Sequence, residues 1–148
     1  MKRQIITFCI GDIYLGADVM AIREIRAWSA TTPIPHSPDY LCGVVNLRGT
    51  VVPVLDLSQR LGFGRTEPSE RHVIIVIEIG NELHGMIVDA VNDIATIDDD
   101  DLQTQPDLGE AADNKMVEGV ITIEDRMVII LTLDRLTASK NSELPQAA

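Results

Sequence analysis

The feature that most constrains this chain is an internal repeat in its pattern of glycines and aliphatic residues. A shift of 69 positions superposes identical residues, which are Ile6 on Ile75, Ile10 on Ile79, Gly11 on Gly80, Gly16 on Gly85, Val19 on Val88, Ala21 on Ala90 and Ile25 on Ile94. A shift of 76 positions superposes the later parts, which are Gly43 on Gly119, Val44 on Val120, Val52 on Val128, Leu55 on Leu131 and Leu57 on Leu133. The repeat predicts two related halves, at about residues 4–61 and 72–137.

The apolar segments are short, rich in valine and isoleucine, and separated by turn residues at the spacing of about 8–12 residues that is typical of all-β barrels and sandwiches. The predicted strands are 4–10, 13–19, 21–27, 44–47, 51–57, 72–79, 83–88, 91–97, 120–123 and 127–133. Short helices are predicted at 38–41, 57–61 and 134–139. Each half then holds five strands and is too small to bury much surface alone, so we expect two five-stranded subdomains on a shared core. They form one domain over 1–140, followed by a disordered tail at 141–148.

The charge of the chain excludes several classes of protein. With 12 Lys and Arg against 23 Asp and Glu, the formal net charge is -11, which repels nucleic-acid phosphates, so no nucleic-acid partner is expected. The longest apolar runs, 73–77 and 127–131, are far shorter than the roughly 18 residues of a membrane-spanning helix. The apolar stretch after Lys2-Arg3 ends too early, at Gly11, for a signal peptide. We therefore expect a cytoplasmic protein without membrane insertion.

No constellation of residues predicts an enzyme, a metal site or a cofactor. His36, His72 and His84 lack the spacing of metal ligands, both among themselves and with the two cysteines. The cysteines, Cys9 and Cys42, lie in apolar runs, where a buried reduced thiol is the ordinary case. A nucleophilic pair of Cys42 with His36, which would make the chain a hydrolase, remains a minor alternative. The acidic run at 98–101 lacks the spacing and the glycine of a calcium loop, so we interpret it as part of a solvated loop.

The most distinctive segment, residues 43–57, reads as a hairpin with a polar tip. Gly49 would supply the positive φ that the turn needs. Pro53 interrupts the second strand, which predicts an edge strand or a bulge at that position. Arg48, next to the turn, is expected to project into solvent or across the boundary between the subdomains.

The tip of this hairpin also differs between the two halves. The first half reads Asn46-Leu47-Arg48-Gly49, whereas the second reads Thr122-Ile123-Glu124-Asp125. The charge at the tip is therefore reversed. In a duplicated chain such an asymmetry indicates where function is to be sought.

The run Asn46-Leu47-Arg48-Gly49, followed by Pro53, Asp56 and Leu57, resembles the signature of the CheW family of bacterial chemotaxis coupling proteins. Supporting matches are Gly11-Asp12, the segment 22–25, and Gly85 with the segment 88–91; the resemblance extends from residue 4 to about residue 136. It implies two SH3-like five-stranded barrels without catalytic activity. It also implies that the chain bridges the cytoplasmic hairpin of chemoreceptors to the regulatory domain of a CheA-type histidine kinase, in arrays recruited to the membrane.

The resemblance implies receptor-binding roles for four residues, which are Ile22, Glu24, Ile25 and Arg48. Glu24 and Arg48 are expected to pair, since a guanidinium fork can bind a carboxylate and position both groups. Five further residues near that interface are expected mainly to define the fold, which are Asn46, Leu47, Gly49, Pro53 and Asp56. Two alternatives stay open. One is a coupling role in a pili-linked or other chemosensory pathway; the other, disfavoured by the 3% aromatic content, is a small-ligand-binding barrel pair.

Overall fold

The computed structural model describes residues 1–103 and 116–136, which form β-strands joined by turns and short helical segments. The strands are β1 (Lys2–Ile10), β2 (Ile13–Asp18), β3 (Ile22–Ala27), β4 (Leu41–Leu47), β5 (Thr50–Asp56), β6 (Val73–Ile79), β7 (Glu82–Val88), β8 (Ala90–Asp98), β9 (Val117–Ile123) and β10 (Arg126–Leu131). A short helix, α1 (Leu57–Arg60), follows β5, and residues 133–136 are helical. Every predicted strand is present with small shifts at its ends, so the all-β fold class is confirmed.

The helix predicted at 38–41 is wrong. The backbone N–H of Leu41 donates to the carbonyl of Pro38 at 3.0 Å, which closes a single turn. Leu41 then begins β4, where it pairs with Leu55, so the strand ladder takes the last residue of the expected helix. The predicted acidic loop begins with a 3-10 helix at Asp99–Asp101, capped by the side chain of Asp98. Residues 104–115 of that loop, residues 137–139 of the last predicted helix and the tail at 141–148 lie outside the described residues.

Each sheet combines strands from both halves of the sequence. One five-stranded sheet has the order β8-β1-β2-β10-β9, and the other has the order β3-β6-β7-β5-β4. By the repeat, β1–β5 are equivalent to β6–β10 in the same sequence, so the two sheets have the same strand arrangement. In each sheet, the first hairpin of one half joins the last three strands of the other half. The chain accordingly divides into unit 1 (Met1–Met20 with Val91–Ala148) and unit 2 (Ala21–Ala90).

The repeated glycines mark the same close packing in each unit. In unit 1, β2 runs parallel to β10, and in unit 2, β7 runs parallel to β5, with the same register by the repeat. A Cβ atom at Gly16 would lie 2.8 Å from Cδ1 of Ile5, and one at Gly85 would lie 3.0 Å from Cγ2 of Ile74. Ile5 and Ile74 are themselves equivalent by the repeat. A side chain at either glycine would therefore force the neighbouring isoleucine side chain to move.

Each unit has an aliphatic core of its own. In unit 1 it includes Ile5, Ile97, Ile121, Val128 and Ile130. In unit 2 it includes Val45, Leu47, Val52, Val54, Ile74, Val76 and Ile87. Burial of one such side chain contributes about 1.5–3 kcal/mol. The core shared by both halves, which the sequence led us to expect, stays a prediction.

Candidate functional site

The β4–β5 hairpin holds Arg48 at its tip in a left-handed backbone conformation. The φ angle is 50° at Arg48 and 90° at Gly49, and positive φ at both central residues is the mark of a type I′ turn. Asn46 supports the turn, because its Oδ1 accepts a hydrogen bond from the backbone N–H of Gly49 at 2.9 Å. The left-handed region costs a residue other than glycine about 1–2 kcal/mol. The hairpin therefore presents a strained arginine whose side chain is 71% exposed.

Glu24, on β3, is the carboxylate that receives this arginine. Arg48 Nη2 donates to Oε1 of Glu24 at 2.7 Å, and Arg26 Nη1 donates to Oε2 at 3.0 Å. The hydrogen bond from Arg48, followed by that from Arg26, lowers the pKa of Glu24 below its usual value. Glu24 is therefore ionised at neutral pH and holds two guanidinium groups at once.

This ion pair joins two strands that lie at opposite ends of the strand order in unit 2. Arg48 follows β4, which is the last strand in the order, whereas Glu24 lies on β3, which is the first. A sheet brings its end strands together by curling, as in a small barrel. The β3–β6 ladder shifts register between Ile22 and Glu24, and such a bulge bends the strand and redirects its side chains. Curvature and the bulge together bring the carboxylate to the hairpin tip.

Exposed apolar side chains belong to the same strand and the same hairpin. Ile25 on β3 is 44% exposed, and Val51 on β5 is 62% exposed. Ile22 is half-buried. We call the set of Glu24, Ile25, Arg26, Arg48 and Val51 the tip cluster. Arginine is among the residue types that contribute most to protein interfaces, whereas the exposed Ile25 and Val51 belong to the set by their place on the same strand and hairpin, with Ile25 on the face of β3 opposite Glu24.

Two members of this cluster, Arg26 and Val51, are not among the site residues expected from the sequence, and for Arg26 a signal was present. Arg26 follows Glu24 by two residues on a predicted strand, and side chains two residues apart on a strand lie on the same face. That spacing was the signal that could have found it. The pair of Glu24 with Arg48, in contrast, forms as expected.

The edge or bulge predicted at Pro53 is wrong, because β5 lies between β4 and β7 in the sheet. The register shift in the β4–β5 ladder lies between Leu41 and Gly43 instead. In an antiparallel ladder, hydrogen-bonded and non-hydrogen-bonded pairs alternate. Counted from the pair that closes the hairpin, Pro53 occupies a non-hydrogen-bonded position, and the ladder with β7 begins only at Val54. The missing N–H of proline therefore interrupts neither ladder.

The two remaining fold-defining residues, Leu47 and Asp56, are both buried. Leu47 is 4% exposed and belongs to the core of unit 2. Asp56 is 3% exposed, and its carboxylate accepts hydrogen bonds from the backbone N–H groups of Gln59 at 3.4 Å and Thr66 at 2.7 Å. It thereby caps α1 and fixes the segment that follows the helix.

The surroundings of Cys42 argue against a thiol nucleophile. Burial, with a smaller contribution from the charge of Asp56, raises the pKa of Cys42 to about 11. A thiol with that pKa stays protonated at neutral pH, whereas the thiolate is the reactive form. Within residues 1–103 and 116–136, no three metal-ligating side chains come together. The same residues contain no helix that is long and apolar enough to span a membrane.

Comparison with known proteins agrees with this architecture. Residues 4–141 match the family of the CheW-like domain. The chemotaxis protein CheW of Rhizobium meliloti is 44% identical over 141 residues, which cover 95% of this chain and 91% of the relative. The chemotaxis protein CheW of Bacillus subtilis is 28% identical over 140 residues, which cover 95% and 90%. The crystal structure of the scaffolding protein TtCheW from Thermoanaerobacter tengcongensis superposes with a TM-score of 0.82 and 34% identity, covering 92% of this chain and 88% of that one.

Proposed function

Because the chain belongs to the CheW-like domain family, we propose that it couples the cytoplasmic hairpin tips of chemoreceptors to a CheA-type histidine kinase in bacterial chemotaxis. The family is one of chemotaxis scaffolds, and a matched relative of known structure is described as a scaffolding protein. In this proposal the chain has no catalytic role. It acts in the cytoplasm and is recruited to receptor arrays at the membrane.

The observation that carries the receptor-binding part of the proposal is the tip cluster. Arg48 is kept in a backbone conformation that glycine or asparagine would adopt more easily. Natural chains retain such strain mainly where function requires it. We therefore propose Ile22, Glu24, Ile25 and Arg48 as the receptor-binding residues, with Arg26 positioning the carboxylate of Glu24.

The mechanism in this proposal is contact geometry rather than chemistry. Glu24 orients the guanidinium of Arg48 before any partner binds, so less rotamer entropy is lost on binding, a saving of up to about 0.5–1.5 kcal/mol for such a side chain. A change in the receptor tip would alter its contacts with this preformed group. The altered contact would then shift the balance between active and inactive kinase through differential binding.

The proposal is tested by reconstitution with a receptor cytoplasmic fragment and the CheA-like kinase of the same organism. We expect both the mass of the sedimenting complex and kinase autophosphorylation to depend on this protein. Arg48→Glu should weaken binding of the receptor fragment about tenfold or more, because it replaces the exposed cation by an anion that Glu24 repels. The melting temperature should change little, since the side chain is exposed.

Arg71→Glu is the matched control, because Arg71 is an exposed arginine of unit 2 outside the tip cluster. It produces the same change in net charge and should leave receptor binding unchanged. Equal losses in the two variants would contradict the assignment of the site. Kinase activity and complex mass that are independent of the protein would contradict the coupling role itself.

A further inference from the structure

Unit 1 contains an open cavity at the place where unit 2 has its ion pair. The repeat equates Glu24 with Asp93 on β8, and Arg48 with Glu124 at the β9–β10 tip. Asp93 and Glu124 both line a cavity of about 340 Å³. The other side chains in its wall include Thr7, Tyr14, Thr96 and Arg126.

The residues that line this cavity include these two acids and one arginine, Arg126. In the described part of the chain, neither Asp93 nor Glu124 takes part in an ion pair. Arg126, which also lines the cavity, lies over the ring of Tyr14, with its Cζ 4.5 Å from the ring centroid. In unit 2 the hairpin tip supplies the guanidinium, whereas in unit 1 the tip supplies a second acid.

The backbone is held by side-chain hydrogen bonds at Asp93 and by a tight turn at Glu124. The hydroxyl of Thr7, a residue only 8% exposed, accepts from the N–H of Asp93 and donates to its carbonyl, both at 3.1 Å. Glu124 and Asp125 have φ angles of 49° and 69°, so their turn is of the same type as the turn at Arg48. The positions from which the two carboxylates extend are therefore set by the fold, as they are in unit 2.

We propose that this cavity of unit 1 binds a guanidinium group, carried either by a small guanidino compound or by an arginine side chain of a polypeptide. The molecule contains its own example of the occupied site, since the equivalent Glu24 binds Arg48 through a charge-assisted hydrogen bond of 2.7 Å. The planar fork of a guanidinium offers five donors and can bridge two carboxylates, which a compact ammonium does less well. The volume is near the lower end of the range of ligand pockets, about 300–1,000 Å³, and suits a small cation.

The test is an amide NMR titration of the full chain with two guanidinium probes. One probe is agmatine, and the other is a capped peptide with a single arginine between glycines; the same peptide with citrulline is the neutral isostere. We expect saturable shifts at Thr7, Asp93 and Glu124 with a guanidinium probe and not with citrulline. Shifts with agmatine alone would identify a small guanidino compound as the ligand class, and tighter binding of the peptide would identify a polypeptide arginine.

Charge-neutralising variants locate the site. Asp93→Asn and Glu124→Gln should each weaken binding about fivefold or more, because each removes one charged acceptor. Asp12→Asn, at the exposed β1–β2 turn of the same unit and outside the cavity lining, removes the same charge and should change nothing. Equal effects of all three variants, equal binding of citrulline, or absence of binding by both guanidinium probes would overturn the proposal.

A second variant tests the internal comparison directly. Glu124→Arg places an arginine at the position equivalent to Arg48, on a turn whose φ of 49° matches the 50° that Arg48 adopts. The new side chain should bind Asp93, occupy the cavity from within, and abolish binding of both probes with little change in melting temperature. Undiminished binding of agmatine or of the peptide in this folded variant would overturn the proposal.

Discussion

The two hairpin tips of this molecule share a backbone and differ in chemistry. Between β4 and β5, the turn residues Arg48 and Gly49 have φ angles of 50° and 90°; between β9 and β10, Glu124 and Asp125 have 49° and 69°. The first tip binds Glu24 of its own unit, whereas the second faces a cavity that already contains the acid equivalent to Glu24. The turn geometry is thus common to both units, whereas the charge of the tip side chain is reversed between them.

Substitution of the equivalent glycines Gly43 and Gly119 should destabilise the two units most, and to different extents. A Cβ at Gly43, where φ is 145°, would lie 2.3 Å from the carbonyl oxygen of Thr32; at Gly119 it would lie 2.8 Å from that of Gln103. Gly43→Ala therefore combines a backbone clash with a strained φ and should lower the free energy of unfolding by about 3 kcal/mol or more. Gly119→Ala should cost about 1–2 kcal/mol. Urea denaturation of both variants makes the comparison, and equal losses of stability would contradict the closer backbone contact at Gly43.

Each unit carries one cysteine, so the reactivity of Cys42 in unit 2 can be measured alone once Cys9 in unit 1 is replaced. In a Cys9→Ser background, the pKa of about 11 for Cys42 predicts that alkylation by iodoacetamide near neutral pH is about a hundredfold or more slower than for a free thiol. The rate should rise with pH until the pH approaches 11. Mass spectrometry of timed samples measures it. Rapid alkylation at neutral pH would reopen the question of a reactive thiol in unit 2.

Asparagine at the two tips separates backbone strain from function. Asn tolerates the left-handed region better than Arg or Glu, so Glu124→Asn should raise the free energy of unfolding by about 0.5–1 kcal/mol. Arg48→Asn should raise it by less, because it also removes the ion pair with Glu24. Arg48→Asn should also weaken receptor binding, while Glu124→Asn should not. Thermal unfolding and the receptor-fragment assay provide the two measurements. Unchanged receptor binding by Arg48→Asn would mean that the strain at this tip serves no docking role.

The smallest effect is the titration of Glu24. Because its pKa is lowered in the folded state, first by Arg48 and then by Arg26, its stabilising contribution is present above the pKa of the unfolded chain and is lost as the pH falls through the folded value. A carboxyl-carbon NMR titration should therefore give a midpoint below the ordinary value of 4.5. Arg48→Gln should raise this midpoint, though not fully, since Arg26 remains bound. A midpoint unaffected by Arg48→Gln would contradict the pairing in solution.

Much of the fold could be read from local patterns. Strand positions follow from short runs of β-branched residues, and the turns follow from Gly11, Gly80 and Gly49, because these signals act over a few residues. The motif around Arg48 indicated both the family and the partner of Glu24. Arg26 was within reach of the same reasoning, since the two-residue period of a strand places it beside Glu24.

Other features depend on which strands meet. Pro53 was expected at an edge or a bulge, because its own sequence context does not reveal that the second ladder of β5 starts one residue later. The helix expected at 38–41 gave way to a turn, because the pairing of Leu41 with Leu55 extends β4 to that residue. In both cases a distant strand, rather than the local sequence, determined the outcome.

Local sequence patterns are enough to show that the chain contains two copies of one five-strand pattern, where their turns lie, and that their tips carry opposite charges. The pairing of the first hairpin of each copy with the last three strands of the other is visible only in the folded molecule. Because the two copies have nearly the same spacing of apolar residues and glycines, either hairpin could complete either sheet with a similar local pattern. The choice rests on long-range strand pairing and core packing, which no local periodicity records.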